Sequence, residues 1–138
     1  MTCPGTFADL EAAAGGSKRP LAEVVDALKF GADGLLPAIA QDAASREVLM
    51  LAWMNRQALE RTLRDGYACY WSRSRSQLWV KGETSGHLQK LLELRFDCDG
   101  DAVLLLVEQV GPACHTNRPS CFYALVEGDS VRVTSDPQ

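Results

Sequence analysis

The chain has 138 residues, of which 46% are hydrophobic and 23% are charged, and this size and composition are typical of one globular domain. Its formal net charge of -4 argues against a general nucleic-acid-binding protein, which would carry a basic excess. The longest apolar run, 102–107, is too short to cross a bilayer, and the N-terminus has no apolar core of the signal-peptide type. We therefore expect a soluble cytoplasmic protein without a nucleic-acid or membrane partner.

The first half of the chain predicts short helices and two strands. Residues 1–20 are small, polar and glycine-containing, and are predicted to be a flexible tail ahead of one domain, 21–138. Apolar residues recur at helical spacing over 21–28, which predicts a short helix. Strand candidates follow at 36–41 and 48–53. Asn55 is a good N-cap for a further helix, which Gly66 ends.

After Gly66 the pattern changes to strands. The Asp99-Gly100 pair separates two of the longest apolar runs and is typical of a hairpin turn. These features predict an α+β fold, predominantly antiparallel β with one or two helices. The strand candidates are 67–71, 78–80, 88–96, 102–110, 122–126 and 131–134.

Five cysteines, unevenly spaced, are a poor framework for disulfides. In a reducing compartment, a cysteine cluster indicates metal binding or catalysis instead. Cys69 alternates with Tyr67 and Trp71 in a strand pattern and is expected in the core. Cys3 lies in the tail, and we assign it no role.

The first motif that could bind a metal or take part in catalysis is the acidic segment 97–101. Its carboxylates, from Asp97, Asp99 and Asp101, suit Mg²⁺ or Ca²⁺, whereas the thiolate of Cys98 suits zinc. The simplest alternative is a solvated hairpin tip. An EF-hand calcium loop is a further alternative because Glu108 falls at its twelfth position. However, Ala102 replaces the glycine required at the sixth, and the flanks resemble strands.

The second motif, 113–122, places Cys114, His115 and Cys121 in turn-rich sequence. The gap between the two cysteines is wider than in zinc knuckles, and Cys98 would supply a third thiolate. Three protein ligands leave a fourth position for water, as in catalytic zinc sites. The alternative is a pair of buried cysteines with His115 at the surface.

The third motif is rich in cations, hydroxyls and glycines over 72–76 and 81–86. Arginine side chains and backbone amides near glycine commonly bind phosphate, although a solvated loop has a similar composition. Trp71 and Trp79 flank part of it and could stack on a base, but core packing explains each equally well. The candidate substrate-binding residues are Trp71, Ser72, Arg73, Ser74, Arg75, Lys81, Gly82, Thr84 and Ser85.

Residue chemistry alone therefore indicates a zinc hydrolase acting on a phosphorylated substrate. A non-enzymatic zinc module is one alternative, and it predicts four closed ligands. A nucleoside deaminase is another, but its His-x-Glu and Pro-Cys-x-x-Cys signature is absent.

Together, these stretches resemble the phosphoribosyl-AMP cyclohydrolase family of histidine biosynthesis. The resemblance covers roughly 34–123. It is carried by Val48-Leu-Met-Leu-Ala-Trp-Met-Asn55, Tyr70-Trp-Ser-Arg-Ser-Arg75, Leu78-Trp-Val-Lys-Gly-Glu-Thr-Ser-Gly86, Asp97-Cys-Asp-Gly-Asp101 and Ala113-Cys-His-Thr116 through Ser120-Cys-Phe122. One departure is Asn117, where the family pattern has glycine. The family is often fused to a phosphoribosyl-ATP pyrophosphatase, and here we expect the single activity.

The resemblance implies an intertwined homodimer dependent on Zn²⁺ and Mg²⁺. In it, Cys98 of one subunit joins Cys114 and Cys121 of the other around zinc, and Asp97, Asp99 and Asp101 bind Mg²⁺. The implied reaction is water addition at C6 of an N1-alkylated adenine, followed by opening of the N1–C6 bond. We expect His115 to be the general base, with Glu83 as second candidate.

Overall fold

The computed structural model describes residues 5–138, which form three helices and eight strands. The helices are α1 (Thr6–Ala12), α2 (Leu21–Asp26) and α3 (Arg56–Asp65). The strands are β1 (Leu36–Asp42), β2 (Val48–Met54), β3 (Cys69–Ser72), β4 (Gln77–Val80), β5 (Gln89–Phe96), β6 (Val103–Gln109), β7 (Ala124–Glu127) and β8 (Ser130–Val133).

A four-stranded sheet with the order β2-β1-β6-β5 forms the centre of the fold. The outer pairs, β1–β2 and β5–β6, are antiparallel, whereas the central pair β1–β6 is parallel. Two antiparallel ribbons, β3–β4 and β7–β8, form separate two-stranded sheets, and the first of them packs against β2 and α3. The predicted α+β class with mostly antiparallel strands is confirmed, but the structure has three helices where we expected one or two.

The additional helix, α1, lies within the segment that we expected to be a flexible tail. Phe7 is buried against the hairpin turn between β5 and β6, and this contact provides a reason for the segment to order. Its apolar face consists mainly of Phe7 and Leu10, which is too weak a periodic pattern to predict a helix. The division of the chain into a tail, 1–20, and one domain, 21–138, stays a prediction. Cys3, which we placed in the tail, lies outside the described residues.

Helix α3 begins and ends where its caps predict. The side chain of Asn55 accepts a hydrogen bond from the backbone N–H of Ala58 at 2.8 Å. Gly66 closes the helix in the left-handed conformation, with φ of 80°. The helix buries Ala58, Leu59 and Thr62, and the Thr62 hydroxyl accepts from the N–H of Cys69 at 2.9 Å. This hydrogen bond holds the start of β3 against α3.

The core lies around the central sheet and includes Leu36, Ala38, Leu105 and Val107. Cys69 is fully buried in it, as predicted. Within residues 5–138, no helix has the length and apolar character needed to span a membrane.

Candidate active site

The β5–β6 turn gathers three carboxylates. Ligand oxygens of Asp97, Asp99 and Asp101 all lie within 4.8 Å of one another, and all three residues are exposed. The turn is held by the backbone N–H of Asp101, which donates to Asp97 Oδ1 at 3.0 Å, and by Gly100, whose φ is 72°. Strands flank the turn on both sides, so the EF-hand alternative is wrong.

The pKa values in this turn reflect the crowding of negative charge. Hydrogen bonding to Asp97, desolvation and the charges of Asp97 and Asp99 raise the pKa of Asp101. Desolvation opposes ionisation of Asp97, but backbone N–H donors from the turn outweigh it and lower its pKa. A divalent cation would relieve this repulsion, and the oxygen donor set is the kind that Mg²⁺ prefers.

The segment that follows β6 forms a compact loop around two thiols. Backbone N–H groups of Cys114 and Asn117 donate to Arg118 O and Cys114 O, at 3.1 and 2.9 Å. Asn117 adopts φ of 64°, the left-handed conformation that asparagine tolerates better than most residues. The N–H of Cys121 donates to Leu49 O at 2.7 Å and ties the loop to β2.

The thiols of Cys114 and Cys121 lie close enough for each to influence the ionisation of the other. Burial opposes ionisation of Cys114, but donation from the Thr116 hydroxyl (3.0 Å) and backbone, and from the Cys121 thiol, lowers its pKa. Cys121 keeps part of its surface exposed, yet desolvation of its thiol and the adjacent Cys114 thiolate raise its pKa to about 11. Cys114 is therefore easier to ionise than Cys121, and a thiophilic cation would favour the thiolate form of both.

Lys81 lies beside these thiols. Its Nζ donates to Ala113 O at 2.6 Å, and the side chain is about half buried. Burial lowers the pKa of Lys81, and the neighbouring Cys121 and Cys114 offset part of that effect. Sequence reasoning placed Lys81 only with the phosphate-binding residues, and no sequence signal links it to cysteines more than thirty positions away.

Cys98 does not join Cys114 and Cys121 in this chain. Among the described residues, the acidic turn is the only cluster of three or more metal-ligating side chains within the same 4.8 Å limit. Cys98 precedes β6 and Cys114 follows it, and a seven-residue strand spans about 20 Å. Cys121 is tied to the start of β2, which lies at the same end of the sheet as the end of β6.

The predicted phosphate-binding residues fall at two places instead of one. Arg73 and Arg75 are exposed in the β3–β4 turn, and the guanidinium of Arg73 lies 4.7 Å from the Trp53 ring centroid. Lys81 follows β4 at the opposite end of that hairpin. The β3–β4 ribbon therefore separates Arg73 and Arg75 from Lys81 within one chain, and a joint role of the three in phosphate binding stays a prediction. Trp71 and Ser72 end β3 half-buried, beside the exposed Ser74.

The loop 81–86 carries Gly82, Glu83, Thr84 and Ser85. The N–H of Gly86 donates to Gly82 O at 2.7 Å, and Gly82 is buried against the backbone of His87. Glu83, Thr84 and Ser85 are exposed, as is His115 in the thiol loop. Because Lys81 bonds to Ala113, the loop with Glu83 and the loop with His115 are directly linked.

A buried polar network beneath these loops escaped the sequence analysis. The Tyr70 hydroxyl donates to Gln89 Oε1 at 2.7 Å, and Gln89 Nε2 donates to Gln109 Oε1 at 2.8 Å. Gln109 in turn donates to His87 O at 3.1 Å. Tyr70 and Gln89 are fully buried, and alternation along β3 could not have predicted this for Tyr70, because its neighbour Cys69 is also buried. The network fixes the strand ends from which both loops emerge.

The acidic turn and the thiol loop both lie in a segment that is similar to a known protein family. Residues 50–123 match the family model described as phosphoribosyl-AMP cyclohydrolase. The chain is also 63% identical over 134 residues to phosphoribosyl-AMP cyclohydrolase 2 of Pseudomonas fluorescens, covering 97% of this chain and 91% of that protein. The chain belongs to the phosphoribosyl-AMP cyclohydrolase family.

Two further relatives extend this family assignment over most of the chain. The phosphoribosyl-AMP cyclohydrolase of Alkalilimnicola ehrlichii is 60% identical over 96% of this chain and 93% of its own length. That of Hydrogenovibrio crunogenus is 53% identical over 96% and 90%. The phosphoribosyl-AMP cyclohydrolase model contains both the acidic turn and the thiol loop, whereas α1, α2 and the β7–β8 ribbon lie outside it.

Proposed function

We propose that this chain hydrolyses phosphoribosyl-AMP, the third step of histidine biosynthesis. Water adds to C6 of the adenine ring, the N1–C6 bond breaks and N1 takes up a proton, giving the formimino-aminoimidazole carboxamide ribotide. The observation that carries the proposal is the family match across 50–123, the segment that holds the acidic turn and the thiol loop. Such a biosynthetic role fits the expected cytoplasmic location.

Cys98, Cys114 and Cys121 would hold zinc. The donor set fits, because the thiols of Cys114 and Cys121 lie together, the pKa of Cys114 is lowered, and thiolate is a preferred zinc ligand. Zinc bound there supplies Lewis-acid activation of a water molecule. Since β6 separates Cys98 from the other two cysteines, a second chain would contribute Cys98, which favours a homodimer with a shared site.

Asp97, Asp99 and Asp101 would hold Mg²⁺ beside Cys98. Their convergence and the raised pKa of Asp101 support this role, because an ion there would offset the repulsion that already exists. A hard-cation site and a thiolate site would then be neighbours in the assembled dimer.

His115 and Glu83 are the candidates to accept the proton of the attacking water and return it to N1. Both are exposed, and the bond between Lys81 and Ala113 keeps their loops together. Imidazole is the side chain most often used for proton transfer near neutral pH, so His115 is the first choice.

Substrate contacts would come from both ends of the β3–β4 hairpin. Arg73 and Arg75, with the hydroxyls of Ser72 and Ser74, suit one phosphate group. The loop 81–86 suits another polar part of the substrate through its hydroxyls and backbone amides. Trp71, half-buried beside the Arg73 turn, would border the ligand. The residues proposed in this loop are Lys81, Gly82, Thr84 and Ser85.

The direct test is incubation of the purified protein with phosphoribosyl-AMP, with and without a chelator, while the adenine absorbance is followed. We expect ring opening that the chelator abolishes. His115→Ala should retain zinc but turn over slowly, and unchanged turnover would move the base role to Glu83. Absence of any absorbance change with zinc- and magnesium-supplemented protein would refute the activity.

The shared site is tested by mixing chains. Cys98→Ala and Cys114→Ala should each lose zinc and turnover, whereas Cys69→Ala is the matched control and should retain both because Cys69 lies in the core. A mixture of the two inactive variants should regain one intact site per heterodimer. No recovery in confirmed heterodimers would mean that the ligands come from one chain.

A further inference from the structure

The β7–β8 ribbon is an exposed arm. Every residue of both strands is exposed, and the two strands pair only with each other. Its apolar side chains include Val126 and Val131, which are 73% and 62% exposed. Val126 and Val131 are cross-strand partners, so their side chains are neighbours, and adjoining exposed apolar surface of this kind marks an interaction site.

Phe122 stands at the base of this arm, directly after Cys121, and is 62% exposed. Its position is nevertheless fixed. The backbone N–H of Phe122 donates to Ser120 Oγ at 2.9 Å, and that hydroxyl donates to Val48 O at 2.7 Å. An aromatic side chain held in the open by a fixed backbone loses little freedom when it binds, which is typical of an interface anchor.

A pocket of matching chemistry lies beside Cys98. It has a volume of about 230 Å³ and is lined by Phe7, Leu10, Glu11, Phe96, Asp97 and Cys98. An apolar cavity of about 150 Å³ already accepts benzene, so the space is sufficient for a phenyl ring. Its wall is completed by α1, whose Phe7 packs on Gly100 of the acidic turn.

In one chain the pocket and Phe122 cannot meet, because they belong to opposite ends of the central sheet, like Cys98 and Cys121. Zinc sharing between two chains would change this. It would bring Cys121 of one chain to Cys98 of the other, and the Cα atoms of Cys121 and Phe122 are only about 3.8 Å apart.

We propose that Phe122 of each chain inserts into the pocket formed by Phe7, Leu10 and Phe96 of a second copy. The inference rests on the shared zinc site of the proposed function and adds an apolar anchor to it. Each dimer would contain two such anchors, so α1 would contribute to assembly although it lies outside the matched family segment. The competing occupant of the pocket is the adenine ring of the substrate.

The first experiment measures the dimer dissociation constant by analytical ultracentrifugation, with zinc present. Phe122→Ala should weaken the dimer by about 100-fold or more, since buried aromatic anchors dominate interfaces and each dimer has two. Leu21→Ala, a similarly exposed apolar side chain on α2, is the matched control and should change little. Phe96→Ala should weaken the dimer too, and the double variant should lose less than the sum.

The second experiment places photoreactive p-benzoylphenylalanine at position 122 and mixes ¹⁵N-labelled with unlabelled chains. Illumination should join position 122 to peptides containing Phe7, Leu10 or Phe96, in mixed-label pairs. Cross-links within one chain, or to other surfaces, would overturn the proposal.

The outcomes also separate this inference from the proposed function. An unchanged dimer and full turnover in Phe122→Ala would refute the anchor alone. A Phe96→Ala variant with a raised KM for phosphoribosyl-AMP and an unaltered dimer would assign the pocket to substrate instead. A monomeric wild-type protein that binds zinc and turns over would refute both the anchor and the shared site.

Discussion

The loop 81–86 offers a matched pair of glycines whose substitution separates steric overlap from backbone strain. Gly82 and Gly86 both have φ of 83°. A Cβ on Gly82 would overlap the carbonyl group of His87 and lie 2.5 Å from Leu88 N, whereas one on Gly86 would have no heavy atom within 4 Å. The two alanine variants therefore share the conformational cost, and only Gly82→Ala adds a collision.

The expected magnitudes follow from these two terms. A non-glycine residue in the left-handed region costs about 1 kcal/mol, which both variants lose. Overlap in a packed site costs about 1 to 3 kcal/mol more. The His87 backbone cannot easily yield, because its N–H donates to Ser85 Oγ at 3.2 Å and its carbonyl accepts from Gln109 at 3.1 Å. We therefore expect a loss of about 2 to 4 kcal/mol for Gly82→Ala.

Urea unfolding followed by circular dichroism measures both free energies of unfolding. The chelated protein should be used, so that zinc linkage does not contribute. Equal losses in Gly82→Ala and Gly86→Ala would refute the steric argument. A Gly82→Ala variant as stable as wild type would also contradict the packing of this loop on His87.

Three further outcomes follow from particular contacts. In the metal-free protein, desolvation and the neighbouring Cys114 raise the pKa of Cys121 from 9.0 to about 11. Its neutral thiol therefore stabilises the fold below pH 9, and this contribution is lost as the pH rises towards 11. Cys121→Ser should flatten that part of the pH–stability curve, and an unchanged slope would contradict the raised pKa. Tyr70→Phe should lower the free energy of unfolding by about 1 to 2 kcal/mol, because it leaves Gln89 Oε1 without its buried donor; a neutral effect in urea unfolding would argue against the network. Asn117→Val should lower the free energy of unfolding by about 1 to 2 kcal/mol, because a β-branched residue is strained at φ of 64°. Asn117→Gly should keep its full zinc content, measured by atomic absorption. Loss of zinc in the glycine variant would show that the asparagine side chain itself is needed.

Local signals in the sequence predicted most elements correctly. Helix α3 follows from Asn55 and Gly66, which specify caps through side-chain and backbone chemistry within a few residues. The acidic turn follows from Asp99-Gly100 between two apolar runs, and Gly100 indeed takes positive φ. Such features need no tertiary information, because each depends on hydrogen bonds that the segment makes with itself.

Features that depend on distant contacts were not predicted. Helix α1 is stabilised by the packing of Phe7 on Gly100, which lies more than ninety residues later in the chain. The sequence of the helix itself is short and weakly apolar, so it carries little local signal. Lys81 reaches Ala113 across the fold, so its place beside the thiols instead of with Arg73 required the structure. The parallel pairing of β1 with β6 also has no local signature, since periodicity does not determine the strand neighbours.

That parallel pair has a consequence for how the chain reaches its native state. Ala38 pairs with Val103, so the central contact of the sheet closes a loop that contains α3 and the β3–β4 hairpin. Closure of so long a loop is entropically costly, whereas β5–β6 and β1–β2 are local hairpins. We expect the two hairpins to form first and to join late through β1 and β6. The rate-limiting barrier to folding would then lie at the middle of the sheet, and the acidic turn would acquire its covering helix only after that barrier.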